Sequence, residues 1–193
     1  SPSKTRRHSA WCQSERWPAQ KGRPRTLRRS ACSHLFEIEY RVLQEGEPDE
    51  QEANLATVLQ TREMLGVHLD NDEEHPIALR ADGRIAMAQQ EYRKAATLFE
   101  RLIFLGGNLP GSVYRNAAYC LIEIGQSGLA LERISTALEV EPMQLSHYIA
   151  KAMMQGKLRM PEEGIRTLES LPPGIQLDNE EVADAMQSLE LLS

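Results

Sequence analysis

In EYRKAATLFERLI, residues 91–103, Tyr92, Ala95, Phe99 and Leu102 fall on one stripe at helical spacing, while Arg93, Lys94, Glu100 and Arg101 fall outside it. Apolar residues three and four apart define one buried face of a helix. The same spacing predicts helices elsewhere. HLFEIEYRVLQEG and DEQEANLATVLQTREMLG read as two helices broken at EGEP. Leu35, Ile38, Val42 and Leu43 mark the apolar face of the first, and Leu55, Val58, Leu59 and Met64 that of the second. LDNEEVADAMQSLELLS reads as a closing helix, with Asp178 or Asn179 at its N-cap, acids in its first turn, and Val182, Met186 and Leu189 as its apolar face.

The helical pattern itself recurs. The small residues Ala95, Ala130 and Gly164 are separated by 35 and 34 positions. Four residues beyond each lies a large apolar one, Phe99, Ile134 or Leu168, and three further on Leu102, Ala137 or Leu171. Twelve residues before each comes another small residue, Gly83, Ala118 or Ala152, and four earlier Leu79, Tyr114 or Tyr148. Five columns thus share one period, and the extra residue falls in GGNLPG, where an insertion disturbs packing least. A helix pair with such a period cannot bury its own apolar face and must stack on its neighbours.

These columns resemble the tetratricopeptide-repeat family, whose unit is two antiparallel helices. The resemblance covers about 100 of the 193 residues. LRADGRIAMAQQEYRKAATLFERLI carries it in repeat one (76–110), VYRNAAYCLIEIGQSGLALERISTALEVEP in repeat two (111–144, ending near Pro142), and HYIAKAMMQGKLRMPEEGIRTLESLPPG in repeat three (145–178). It implies an all-α fold, a right-handed superhelical array of antiparallel helix hairpins over residues 33–193. Residues 33–70 form a flanking helix pair, with Ala53 in the small column of a degenerate zeroth repeat, and 179–193 a capping helix.

Charge separates the ends of the chain. Residues 1–32 carry nine Lys/Arg against Glu15 alone, whereas 33–193 carry thirteen basic and twenty-seven acidic residues. The first segment, with three prolines and little periodicity, cannot bury enough apolar surface to offset its ordering entropy and is expected to be a disordered basic arm. The chain opens on Ser1, so the arm is expected to be non-native or processed. Phosphate contacts with base stacking by Trp11 and Trp17, an organelle transit peptide rich in Arg and Ser, and a metal site from His8, Cys12, Cys32 and His34 are lesser readings of it. Pro18 and Pro24 oppose a transit helix, and Cys-x-His spacing fits metal sites poorly. Nucleic-acid binding is accordingly not favoured. Three cysteines without regular spacing point to a reducing compartment, hence a cytoplasmic protein, with organelle import as the alternative. No run is long enough for a membrane span.

No catalytic constellation can be assembled. LGGNLPG lacks the spacing and Lys-Ser/Thr of a phosphate loop, and there is no HExxH or Gly-x-Ser-x-Gly. His68, His75 and His147 lie in or near connecting segments and read as exposed or capping; Cys120 reads as core filler. No enzyme activity, cofactor or metal is expected.

The resemblance implies a binding face on the first helix of each pair. Repeat one would contribute Arg80, Arg84 and Met87, repeat two Arg115, Asn116, Tyr119 and Glu123, and repeat three Ile149, Met153 and Lys157. Guanidinium groups suit bidentate carboxylate recognition, so an acidic or C-terminal peptide is the partner indicated. Some family members clamp a C-terminal carboxylate with a defined Lys/Asn/Arg set; Asn116 and the charge of Arg80 match it, but Arg84, Ser146 and Ala150 depart from it. Arginines paired with nearby acids such as Glu123 are the competing reading. The leading function is therefore a peptide-binding adaptor or co-chaperone, including secretion-chaperone-like roles. The alternative is a structural subunit of a larger assembly, joined through its terminal helices and prone to self-association.

Overall fold

The computed structural model describes residues 33–41, 43, 50–175 and 179–192. The basic segment 1–32, with its tryptophans and three of the four metal ligands suggested for it, lies outside them, as do Val42 and Asp178; the fourth suggested ligand, His34, is exposed on the first described helix. Every regular element among the described residues is a helix. In chain order these are α1 (33–41), α2 (Gln51–His68), α3 (Pro76–Ala88), α4 (Tyr92–Leu105), α5 (Gly111–Glu123), α6 (Ser127–Val140), α7 (Leu145–Lys157), α8 (Pro161–Glu169) and α9 (Asn179–Glu190). None of them is long and apolar enough to cross a membrane. The chain divides into two compact units, Ser1–Ala81 and Asp82–Ser193.

In the first unit, α1 buries Phe36, Glu39 and Tyr40, with the two rings stacked at 6.1 Å. Helix α2 buries Asn54, Val58, Thr61 and Leu65, again at three- and four-residue steps. Both stripes are only partly those expected from apolarity: Leu43 and Val58 are buried, but Ile38 and Leu59 are more than two-fifths exposed, and Ala53 faces solvent instead of a small-residue column. The physical reason lies in the polar occupants. Thr61 satisfies its own hydroxyl by donating to the Thr57 carbonyl at 3.0 Å, so it enters the core without an outside partner.

The second unit follows the periodic columns. Ala95 and Ala130 are fully buried and Gly164 is buried; Phe99 and Ile134 are fully buried and Leu168 is 4% exposed. Ala118 and Ala152 are buried too. The small residues permit close approach: a Cβ on Gly83 would lie 2.8 Å from Phe99 Cζ, and one on Gly164 would lie 2.8 Å from the Ala152 carbonyl oxygen. Helix α5 packs on α6 and α7 on α8, successive hairpins meet through α4–α5, α5–α7 and α6–α7, and α9 rests on α7 and α8. Leu189 of α9 is fully buried in a cluster with Ala152, Leu168 and Ala185.

The turn inside each hairpin is also periodic. Gln90, Gly125 and Arg159 all adopt positive φ, at 60°, 78° and 64°. The next amide in each case donates back to a carbonyl five residues earlier: Glu91 to Ala86, Gln126 to Leu121 and Met160 to Gln155. This left-handed C-cap satisfies helix-end carbonyls and aims the second helix back along the first. Only the middle copy places glycine where the conformation favours it.

Candidate peptide-binding face

Helices α5 and α7 are the first helices of consecutive hairpins and pack directly on each other. Helical spacing sets Arg115, Asn116, Tyr119 and Glu123 along α5, and Ile149, Met153 and Lys157 along α7. Tyr119 is the exposed aromatic of this face, at 39%. The Lys157 ammonium lies 5.5 Å from its ring centroid, a cation–π contact. Tyr92, at the start of α4, meets the same ring edge-on, with centroids 5.8 Å apart and planes at 73°. Lys157 also pairs with the Glu123 carboxylate, and Arg115 Nη1 donates to Ser146 Oγ. Burial pushes the Tyr119 phenol up to about 12, with a hydrogen bond to Tyr92 adding to the effect. At neutral pH the face therefore presents a neutral aromatic flanked by a cation and an anion.

The expected residues are distributed as follows. Arg115, Asn116, Tyr119, Met153 and Lys157 belong to α5 and α7 of the second unit, and Asn116 and Met153 are half-buried. Arg84 and Met87, on α3, also belong to that unit and are half-buried. Arg80 belongs to the first unit, where its Nη2 lies 2.7 Å from Glu37 Oε1. Tyr92 lies outside the set expected for this face, because it falls on the core stripe of α4. Ser146, expected only as a departure from a basic position, accepts a hydrogen bond from Arg115.

One expectation is corrected outright. His147 lies near a connection, in the first turn of α7, but it is not exposed: it is 1% exposed, with Nε2 2.9 Å from Glu141 Oε2. A Cβ on Gly111 would come within 2.5 Å of that nitrogen, so the imidazole fills the space a side chain at the start of α5 would take. The period offered a signal: Ala78, Val113 and His147 are spaced by 35 and 34, and all three are buried. Desolvation lowers the His147 pKa, partly opposed by the Glu141 hydrogen bond, while Arg115 lowers it further. His75 does cap, its Nδ1 accepting from the Ile77 amide at 3.2 Å. Cys120 is fully buried, and desolvation pushes its thiol up to about 12, as suits a packing residue. No group of three metal-ligating side chains occurs among the described residues.

The all-helical architecture with its 34-residue period is that of a tetratricopeptide-type helical repeat. Among solved structures, "YrrB: a TPR protein with an unusual peptide-binding site" is similar over 74% of this chain and 71% of its own, with a TM-score of 0.52 and 16% identity. A structure of the MamA RS-1 ArsTM double mutant covers 83% of this chain and 94% of its own, with a TM-score of 0.49 and 20% identity. No family model matches the chain, and no curated protein matches it in sequence. At these identities the likeness concerns the fold.

Proposed function

We propose that the chain is a non-enzymatic protein-interaction module that holds a peptide segment of a partner against the α5–α7 face, as an adaptor or co-chaperone does. The observation that carries this reading is Tyr119, an aromatic exposed on a rigid helix and bracketed by Lys157, Glu123 and Tyr92. Such a ring offers large contact area at little conformational cost. The arginines of the same unit, Arg84 and Arg115, favour a segment bearing carboxylates, because a guanidinium fork matches a carboxylate bidentately. The peptide-binding site of YrrB supports the general reading.

The alternative, a structural subunit stacked through its terminal helices, draws support from Leu191 and Leu192, which are 82% and 52% exposed just beyond α9. The exposed positions of α9 itself favour the first reading, since they carry Glu180, Glu181, Asp184, Gln187 and Glu190. The test is selection from a displayed peptide library, followed by anisotropy titration of the selected peptides against the wild-type chain, Tyr119→Ala and Arg115→Ala. Enrichment of acidic peptides, with affinity loss of about tenfold or more in either variant, is expected for side chains central to a contact. Selected peptides indifferent to both substitutions would sink the proposal.

A further inference from the structure

A groove of about 480 Å³ lies within the second unit, between the end of α8, the turn 171–175 and the start of α9. Most of its lining is apolar: Leu168, Leu171, Pro172, Ile175, Val182 and the exposed Ala183. Proline has no amide hydrogen and a fixed φ, so the Pro172–Pro173 wall is stiff and offers no backbone donor. Gly174 holds the turn at φ +91°, and a Cβ there would lie 3.7 Å from Met143 Cε. Met143 is half exposed, so apolar surface continues beyond the groove.

The surroundings of this slot are anionic. Glu169 lines it, and Glu180 and Glu181 stand exposed in the first turn of α9, next to Val182. The described residues of 161–192 carry seven carboxylates and a single guanidinium, Arg166, which lies 3.6 Å from Glu163. An apolar slot in such a field repels an acidic segment and attracts a basic one. Its charge is thus opposite in preference to the α5 face that bears Arg115.

We infer that this groove is a second docking site, for a basic peptide segment of a partner. The segment seats one bulky apolar side chain between Pro172 and Val182 and sets arginines or lysines against Glu169 and Glu181. The inference is independent of peptide capture at Tyr119. The apolar anchor supplies buried area, and the flanking cations supply orientation and encounter rate.

The probe is a short fluorescein-labelled peptide with one central tryptophan flanked by arginines, titrated against the full chain by anisotropy. One control peptide replaces the tryptophan by alanine and a second replaces the arginines by glutamates. Saturable binding of the probe is expected, weaker by about tenfold or more for either control. Ala183→Phe fills the mouth of the groove from an exposed position, and the pair Glu169→Lys and Glu181→Lys reverses its charge. Each should weaken the probe by about tenfold, while Tyr119→Ala leaves it unchanged. The surface charge pair keeps the test decisive if Ala183→Phe loses helicity by circular dichroism. Three results would overturn the inference: no saturable binding, equal affinity for the alanine control, or probe binding indifferent to both groove variants. Light scattering of the wild-type chain completes the test. A dimer that Ala183→Phe dissolves would mean that a second copy occupies the groove, which also overturns it.

Discussion

Two glycines in the helices of the second unit should respond to one substitution in opposite directions. Gly164 sits in α8, where an added Cβ would lie 2.8 Å from the Ala152 carbonyl oxygen and 2.9 Å from Leu189 Cδ2. Gly128 sits in the first turn of α6, where an added Cβ meets nothing within 4 Å. Alanine in place of glycine stabilises an unobstructed helical site by about 0.4–1 kcal/mol, chiefly by restricting the unfolded chain. Overpacking a close-packed contact costs about 1–3 kcal/mol. Leu189 has rotamers with which to yield, but the Ala152 oxygen belongs to the backbone of α7 and moves only if the helix pair separates. At position 164 the clash therefore outweighs the propensity gain. Gly164→Ala should lose on the order of 1 kcal/mol, and Gly128→Ala should gain about 0.5 kcal/mol. The assay is urea unfolding followed by far-ultraviolet circular dichroism at fixed pH and salt, with the slopes compared to confirm that the midpoint alone shifts. In thermal melts 1 kcal/mol corresponds to about 2–4 °C for a chain of this size. Adding Leu189→Ala to Gly164→Ala should fail to restore stability, because the carbonyl contact remains. The reasoning is refuted if Gly164→Ala matches or exceeds the wild type, or if both alanines move the midpoint the same way.

Further expectations follow from other contacts. Arg159 holds φ 64° at the end of α7. Arg159→Gly should therefore stabilise by about 1 kcal/mol, and an unchanged or lower midpoint would count against the left-handed cap. Arg133 grips both Glu100 oxygens at 2.8 Å between α6 and α4, with both side chains less than a third exposed. Arg133→Ala should cost about 1–2 kcal/mol, and a double-mutant cycle with Glu100→Gln should return most of that as coupling. His147 has its folded pKa lowered below 6.5, so between that lowered value and 6.5 the unfolded chain binds more protons than the folded one. Its contribution is complete above pH 6.5 and is lost as pH falls through the folded pKa; an NMR titration placing His147 above 6.5 would contradict this. Cys120, fully buried with its thiol near 12, should react with a thiol reagent only at the rate of opening, so fast labelling of the native chain would refute its place in the core.

The repeating part of the fold was legible because its signal is redundant. Each buried column is stated three times, and a degenerate member such as Gly164 is recovered from its partners. The first unit had no such redundancy. Its true stripe includes Asn54 and Thr61, and apolarity alone drew the face through Leu59 instead. His147 was misread for a related cause: its type suggested a surface residue, while its column, shared with Val113, suggested the core. The candidate face could be drawn from the sequence only as a set of positions on first helices. Its arrangement was not legible, because the contacts of Tyr92 with Tyr119, Ser146 with Arg115 and Glu123 with Lys157 each join separate helices. The α8–α9 groove left no mark in the repeat, since Leu168 and Leu171 of its lining occupy ordinary column positions and its other walls are a proline turn and a helix outside the period.

The grip of Arg133 on Glu100 bears on the order of the three repeats. The apolar columns are common to all three and would accept them in any sequence. The charged link is not shared: one period on from Glu100 and Arg133 stand Ser135 and Thr167, and one period before Arg133 stands Leu98. In a chain with repeats two and three exchanged, Glu100 would face Thr167, with the same oily surfaces in contact and no cation to meet it. Stacking is thus generic in its attraction and particular in its address, and a shuffled or swapped unit would be held without being recognised.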